Sequence, residues 1–180
     1  SPKFQNMYHS QFFQMMVPRL EDPIPRVRAH SLAAMTNFLE YSQTGHIEKY
    51  FDHIYNKIMN ILVSGISYEK ENSLSALASL SESSPLLFSK YYDQSMNTLL
   101  EIMNSPNRKE LKQLRGQSIE AMTIISETVK IEQFEQYVPG LMQQMIKIQN
   151  SEISYDDSDP QKSYLLAGYQ RLCKILGEKM

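Results

Sequence analysis

The sequence is poor in cysteine, glycine and valine, and it contains no long apolar run. Its one cysteine, Cys173, cannot form an internal disulfide bond, and no multi-cysteine zinc pattern is present. No stretch reaches the roughly 18 apolar residues that a membrane-spanning helix needs. Six glycines and five valines do not suit a β-sandwich or a glycine-loop nucleotide-binding fold. We therefore expect a protein of a reducing intracellular compartment that does not bind or span a membrane.

The charges are nearly balanced, with 18 Lys and Arg against 20 Asp and Glu, which gives a formal net charge of −2. This balance argues against nucleic-acid binding, because such proteins need an excess of cations to neutralise phosphates. Hydrophobic residues make up 42% of the 180 residues, which predicts a folded chain. No cleavable signal opens the sequence, and it starts at Ser1 without an initiator methionine. We expect a segment of a longer protein.

Apolar residues recur with helical spacing along nearly the whole chain. Leu32, Met35 and Leu39, for example, occupy positions i, i+3 and i+7, which is the pattern of one buried helix face. Prolines and short polar stretches interrupt the pattern at regular intervals. Pro18 and Pro139 are expected to kink the helices that contain them. The pattern predicts eight helices, at about 4–20, 25–41, 47–63, 68–81, 85–103, 109–129, 131–149 and 160–177.

The helices repeat in pairs, here termed A and B, with a period of about 40 to 47 residues. The stretch Lys49-Tyr50-Phe51-Asp52 near the start of one A helix recurs 41 residues later as Lys90-Tyr91-Tyr92-Asp93. Three apolar columns align the B helices: Leu32, Leu74, Ile119 and Leu166; Met35, Leu77, Met122 and Tyr169; Phe38, Leu80, Ile125 and Leu172. A column of small residues lets neighbouring helices approach closely: Ala34, Ala76, Ala121 and Gly168.

A period of this length with two helices per unit is typical of HEAT repeats. We therefore predict an all-α, right-handed α-solenoid, a superhelix of about four HEAT repeats with eight antiparallel helices. The chain would form one HEAT-repeat domain, with repeats at about 4–41, 47–81, 85–129 and 131–177. A closed helical bundle is the alternative, but it need not repeat the same small and large columns.

Several stretches carry a resemblance to a known family. They are Asp22-Pro23-Ile24-Pro25-Arg26-Val27-Arg28-Ala29-His30, the Lys90–Asp93 stretch, 109–120 (KELKQLRGQSIE), 156–164 (DDSDPQKSY) and 171–177 (RLCKILG). In that order they resemble the central HEAT repeats of the importin-beta family of nuclear import receptors, or karyopherins, and within it the importin-five (importin beta-three) class. The resemblance is strongest from about residue 85 onward, and 42–70 matches poorly.

The resemblance implies a piece of a longer receptor that shuttles between cytoplasm and nucleus. Such receptors bind cargo proteins through basic, lysine-rich import signals on the concave B-helix face. They dock phenylalanine-glycine repeats of nucleoporins between A helices, and they release cargo when Ran-GTP binds. Most of the Ran contact in this family comes from amino-terminal repeats, so Ran binding is expected of the full-length receptor. Neither a cofactor nor an enzymatic activity is implied.

The candidate cargo-binding residues lie on the B-helix face opposite the apolar columns, at spacing i, i+3, i+7 and i+10. Glutamates occupy the same position in three successive repeats, where an extended peptide with spaced lysines would meet them in turn. Amides on the same face would bond the peptide backbone. The candidates are Asn37, Glu40, Asn72, Glu82, Gln117, Glu120 and Glu127. A plain solvated helix face is the alternative, since glutamate is a good helix former.

The acidic segment 152–159 leaves two interpretations open. Asp156, Asp157 and Asp159 would attract basic cargo across the groove, or the last acids would cap the helix that starts at Pro160. The alternatives to a transport receptor are a HEAT-repeat scaffold for a non-transport complex and a structural spacer. An enzyme is not expected. The four histidines are scattered without the spacing of a helical metal site, and Cys173 is expected to be buried.

Overall fold

The computed structural model describes residues 2–40, 42–151 and 159–177. Within these ranges the chain is helical, with three short 3₁₀ turns and no strand. None of the helices there is long and apolar enough to cross a membrane. The chain divides into two compact units, with unit 1 at Ser1–Lys90 and unit 2 at Tyr91–Met180.

Unit 1 is built around two packed B helices, α2 and α5, with α4 also packed against α5. A 3₁₀ turn at Val17–Glu21 follows α1 and contacts α2. The helices that the structure describes in this unit are α1 (Pro2–Met16), α2 (Pro25–Leu39), α3 (Thr44–Ile47), α4 (Phe51–Ser64), α5 (Ser67–Ser83) and α6 (Pro85–Phe88).

Unit 2 has the same kind of core, in which the B helix α8 packs against α11 and against α7. The helix α10 contacts both α7 and α11. The helices that the structure describes here are α7 (Tyr92–Met103), α8 (Lys112–Glu127), α9 (Ile131–Phe134), α10 (Val138–Ser151) and α11 (Gln161–Gly177).

The A helices are interrupted where the sequence predicts continuous ones. The predicted helices at 47–63, 85–103 and 131–149 each consist of one short turn followed by a longer helix. The turn buries one apolar side chain, and a second, aromatic one is buried at or next to the start of the longer helix. These pairs are Ile47 and Phe51, Phe88 and Tyr92, and Phe134 and Tyr137. Each break in an A helix therefore keeps an apolar side chain buried on both of its sides.

The recurring Lys-Tyr-aromatic-Asp stretch marks these breaks. Tyr50 and Tyr91 are the N-cap residues of α4 and α7, and Asp52 and Asp93 lie in the first turns of those helices. A carboxylate in the first turn is favourable because the helix dipole is positive there. The repeated motif is therefore a helix-start signal, placed a few residues later than the predicted starts.

Two prolines act as helix boundaries instead of kinks. Pro18 lies in the 3₁₀ turn Val17–Glu21, directly after the last residue of α1, Met16. Pro139 is the second residue of α10, where the missing N–H has no intrahelical partner to lose. The predicted kinks within continuous A helices are wrong at both positions.

The apolar columns form the core in three of the four B helices. All three column residues of α2, α5 and α8 are at most 5% exposed. In α11, Leu172 is buried, but Leu166 is 62% exposed and the neighbouring Leu165 is buried instead. Cys173 is exposed as well, so its expected burial is wrong. The fourth B helix, α11, therefore exposes part of its apolar column to solvent.

The small residue at Gly168 permits a close approach of α11 to α8. A Cβ atom at Gly168 would lie 2.7 Å from Cγ2 of Ile119, closer than real side chains come. Gly116 on α8 lies against the ring of Tyr164 on α11 in the same way. Both helices thus meet at glycines, as the small-residue column predicts for Gly168.

In three B helices, α2, α5 and α8, a basic residue at a fixed position hydrogen-bonds to the main chain at the end of the preceding A helix or turn. Three such residues follow the same steps of 42 and 45 along the chain, and each donates a hydrogen bond to a main-chain carbonyl. The bonds are Arg28 Nη1 to Asp22 O at 2.6 Å, Lys70 Nζ to Val63 O at 2.9 Å and Arg115 Nε to Met103 O at 3.0 Å. Cations are favourable at these carbonyls because the C-terminal end of a helix is negative.

Within each unit, a cation of the first B helix binds the carboxylate that caps the second. In unit 1, the buried Glu69 accepts a 2.6 Å bond from Arg28 Nε and a 3.0 Å bond from the Ile66 N–H. In unit 2, Lys112 pairs with the buried Asp159. These ion pairs hold the neighbouring B helices in register.

Candidate functional site

The candidate face of unit 1 lies on α2 and α5. Asn37 and Glu40 near the end of α2 are exposed, and so is Glu82 near the end of α5. Asn72 is half-buried, and its Nδ2 donates a 2.7 Å hydrogen bond to the Tyr68 carbonyl one turn earlier in α5. Three of the four predicted residues of this unit therefore stand at the surface, and the fourth is held by its own helix.

A groove of about 490 Å³ opens between the N-terminal halves of α2 and α5, and we call it the α2–α5 groove. Its surface is mostly apolar. It is lined by Arg26, Ala29, His30, Tyr68 and Asn72. Of these residues, Asn72 is a predicted candidate and His30 occupies the first position of the same predicted face on α2, whereas Arg26 and Tyr68 were missed. Each of these two lies one helical turn before a predicted face residue, a signal that helical spacing alone could have given.

The candidate acids of unit 2 already contact cations of the next B helix. Glu127 on α8 accepts a 3.0 Å hydrogen bond from Lys174 on α11. Glu120 lies 3.6 Å from Arg171, one of whose nitrogens is also 3.5 Å from the Thr123 hydroxyl. Lys174 occupies, on α11, the face position at which the three preceding B helices carry a glutamate. Both acids are therefore paired with cations of their own unit.

Gln117, the remaining candidate of unit 2, is half-buried on α8. Its Oε1 is buried and accepts no hydrogen bond from any residue that the structure describes. The ring of Tyr164 lies against the adjacent Gly116, and its hydroxyl accepts a 2.8 Å bond from Gln113. The Tyr164 side chain therefore packs on α8 at Gln113 and Gly116, which precede Gln117 in the helix.

The predicted acidic segment is described only at its end. Asp156 and Asp157 lie outside the described residues. Asp159 is buried, pairs with Lys112 and accepts a 3.0 Å bond from the Gln161 N–H at the start of α11. For Asp159 the structure matches the helix-cap interpretation, and its carboxylate faces the interior of unit 2 instead of a ligand.

Two histidines that are 37 positions apart in the sequence are stacked in unit 1. The rings of His9 on α1 and His46 on α3 lie 4.3 Å apart, centroid to centroid, with 15° between their planes. Burial and the neighbouring charge of His9 lower the pKa of His46. No group of three or more His, Cys, Asp or Glu side chains in the described part of the chain could hold a metal ion.

Comparison with known proteins identifies relatives of this chain. The chain is 31% identical over 179 residues to importin subunit beta-3 of Saccharomyces cerevisiae, covering 99% of this chain and 16% of that protein. It is 23% identical over 144 residues to a probable importin-5 homolog of Dictyostelium discoideum, covering 80% of this chain and 13% of that protein. The chain thus spans less than a fifth of the length of these relatives. No protein-family model matches it.

Solved structures of Kap121p share the fold of this chain. Kap121p bound to Pho4p matches with a TM-score of 0.85 and 29% identity, over 99% of this chain and 16% of that one. Kap121p bound to Nup53p matches with a TM-score of 0.86 and 29% identity, over the same shares. The helical pairs, their period and these matches confirm the predicted fold class, an all-α HEAT-repeat solenoid. The chain is homologous to a HEAT-repeat segment of an importin-beta family receptor, as the sequence motifs indicated.

Proposed function

We propose that the chain is part of a nuclear transport receptor whose B-helix face binds basic, lysine-rich import signals of cargo proteins. The observation that carries the proposal is the 31% identity to importin subunit beta-3 over nearly the entire chain. Solved structures of the similar Kap121p are described as bound to Pho4p, Ste12p, Ulp1p and Cdc14p, and one as bound to Nup53p. Several different proteins therefore bind a receptor of this fold.

The exposed acids of unit 1 support the lysine-reading part of the proposal. Glu40 and Glu82 stand near the C-terminal ends of α2 and α5, and these two helices are packed together. Successive lysines of a bound peptide would each form a charge-assisted hydrogen bond, one with Glu40 and one with Glu82. The amide of Asn37, on the same face of α2, offers a donor and an acceptor to the peptide backbone.

The rest of the transport cycle belongs to the longer receptor. We propose that the full-length protein moves between cytoplasm and nucleus, docks phenylalanine-glycine repeats of nucleoporins and binds Ran-GTP. The homology supports this role, and non-covalent binding is the activity we propose, without enzymatic chemistry.

A HEAT-repeat scaffold for a non-transport complex is the second candidate. The ion pairs Glu120–Arg171 and Glu127–Lys174 favour it for unit 2, because acids that bind the protein's own cations attract lysines less. A scaffold would bind a folded partner and show little preference for lysine-rich peptides.

The double variant Glu40→Gln/Glu82→Gln separates the two candidates. We expect this variant to bind a lysine-rich peptide with about threefold to tenfold lower affinity, since exposed ion pairs contribute about 0.2–1 kcal/mol each. The matched control is Glu48→Gln/Glu101→Gln, which removes two exposed carboxylates outside α2, α5, α8 and α11. Equal affinities for both variants, with unchanged helical content, would favour the scaffold.

A further inference from the structure

The two ends of the unit 1 face differ in charge and in shape. The exposed Glu40 directly follows α2, and the exposed Glu82 lies in the last turn of α5. The N-terminal halves instead form the α2–α5 groove, with the exposed Arg26 and His30 on its α2 side. The groove end therefore suits a different chemical group from the lysine that suits the acidic end.

The groove offers an apolar surface and unused polar groups. Ala29 is buried beneath it, while the ring of Tyr68 is 41% exposed. Among the residues that the structure describes, none forms an ion pair with Arg26. The amide of Asn72 is fixed by its bond to the Tyr68 carbonyl, which leaves Oδ1 as an acceptor for a ligand. A cleft of this size accommodates a large apolar side chain.

We infer that the α2–α5 groove is a second peptide subsite, which takes an apolar or aromatic side chain next to a carboxylate. The apolar side chain would pack against Tyr68 and Ala29, and the carboxylate would accept hydrogen bonds from the guanidinium of Arg26. This inference rests on the proposed function, because the same peptide supplies lysines to Glu40 and Glu82.

The helix geometry sets the spacing of the two parts of the ligand. His30 and Glu40 are ten residues apart on α2, which corresponds to about 15 Å along a helix. An extended peptide covers that distance in about four or five residues. The preferred ligand therefore carries its apolar and acidic pair four or five residues from a lysine, and not beside it.

Four fluorescein-labelled peptides of equal length test the inference by anisotropy with the full 180-residue chain. The first carries lysines only, and the second adds a Leu-Asp pair five residues from the nearest lysine. The third places the same pair next to the lysine, and the fourth keeps the distant pair but replaces every lysine with alanine. We expect the second peptide to bind about threefold to tenfold more tightly than the first or third.

Variants of the groove identify where the gain arises. Arg26→Gln should remove the advantage of the second peptide and leave the affinity of the lysine-only peptide within about twofold. Tyr68→Ser should remove part of the same advantage through loss of the apolar wall. Arg108→Gln, which deletes an exposed arginine of unit 2, is the matched control and should preserve it. Circular dichroism establishes that each variant folds.

The outcomes separate this inference from the function on which it rests. Binding of the lysine-only peptide with no gain from the Leu-Asp pair overturns the groove subsite and leaves the proposed function standing. A gain that Arg26→Gln and Arg108→Gln leave equally intact also overturns it. Binding of the fourth peptide with no contribution from lysine supports the groove and overturns the proposed lysine reading. Absence of binding by all four peptides overturns both.

Discussion

Lys174 on α11 donates a 3.0 Å hydrogen bond to Glu127 on α8, two residues that lie 47 positions apart in the chain. One repeat period separates them, so the last B helix places a cation where a cargo lysine would meet the acid of the preceding repeat. Arg171 stands opposite Glu120 in the same way, at 3.6 Å. In unit 2 the protein's own side chains would therefore compete with the basic ligand that we propose.

Removal of this competition should strengthen peptide binding. We expect Lys174→Gln to raise the affinity for a lysine-rich peptide about twofold to fivefold, because the exposed pair it breaks is worth less than about 1 kcal/mol. Lys130→Gln, which removes an exposed lysine at the N-cap of α9, controls for the change in net charge. Isothermal titration calorimetry measures both. Equal affinities for the two variants would show that Glu127 does not contact the peptide.

The capping carboxylate of α5 should be important for stability. Glu69→Gln keeps the size of the side chain but removes the charge that Arg28 binds and weakens the cap at Ile66. Since a buried polar group that loses its partner is costly, we expect a loss of about 1–3 kcal/mol in the free energy of unfolding. Urea denaturation measures it. Glu101→Gln on the exposed side of α7 should change stability by less than about 0.5 kcal/mol. Similar values for both would contradict the role of this ion pair.

The contact between α8 and α11 should not tolerate a methyl group at its glycines. Gly116→Ala would push against the ring of Tyr164, and Gly168→Ala would push against Ile119. We expect each to cost about 1–3 kcal/mol, the usual range for overpacking. Gly45→Ala is the control, because a Cβ atom there meets nothing within 4 Å and alanine favours the helix. Thermal unfolding that is unchanged in all three variants would contradict the close approach.

Stability should fall at alkaline pH because of buried tyrosines. Burial raises the pKa of Tyr92 to about 12. Burial, together with the 2.6 Å bond from its hydroxyl to Asp93, also raises the pKa of Tyr137. An unfolded tyrosine ionises near pH 10, so between about pH 10 and 12 the unfolded state binds fewer protons and is favoured as pH rises.

Urea denaturation at pH 8, 10 and 11 measures this effect. The stability contributed by the protonated tyrosines should be complete below about pH 10 and decline above it. Tyr92→Phe should flatten the decline in part, while Tyr8→Phe, at an exposed tyrosine of α1, should leave it unchanged. A flat profile in the unchanged chain would contradict the burial of the Tyr92 hydroxyl.

The sequence predicts the B helices well because their pattern is strictly periodic. The columns through Leu32, Leu74 and Ile119 are buried as expected, and the small residue at Gly168 does lie at a helix contact. The predicted bounds of the A helices were less accurate, because each break has a buried apolar side chain on both of its sides and so leaves no clear gap in the pattern. The role of the prolines was misread for a separate reason, since Pro139 suits a first turn as well as a kink.

The candidate site was predictable only as a set of helix positions. Spacing placed Glu40 and Glu82 at the surface. It did not reveal that Glu127 and Lys174 form an ion pair, because these residues are 47 positions apart and their contact depends on how far α11 is shifted along its axis relative to α8. The α2–α5 groove was missed because its shape depends on how the Tyr68 side chain packs, which no periodicity encodes.

The most direct test of the account is an anisotropy titration of this chain with a lysine-rich import-signal peptide and its lysine-to-alanine counterpart. Charge-assisted contacts weaken with ionic strength, so low and near-physiological salt are compared. We predict saturable binding of the lysine peptide that weakens with salt, and no binding of the alanine peptide. Equal binding of the two peptides, or no binding of either at low salt, would contradict lysine recognition by these B helices.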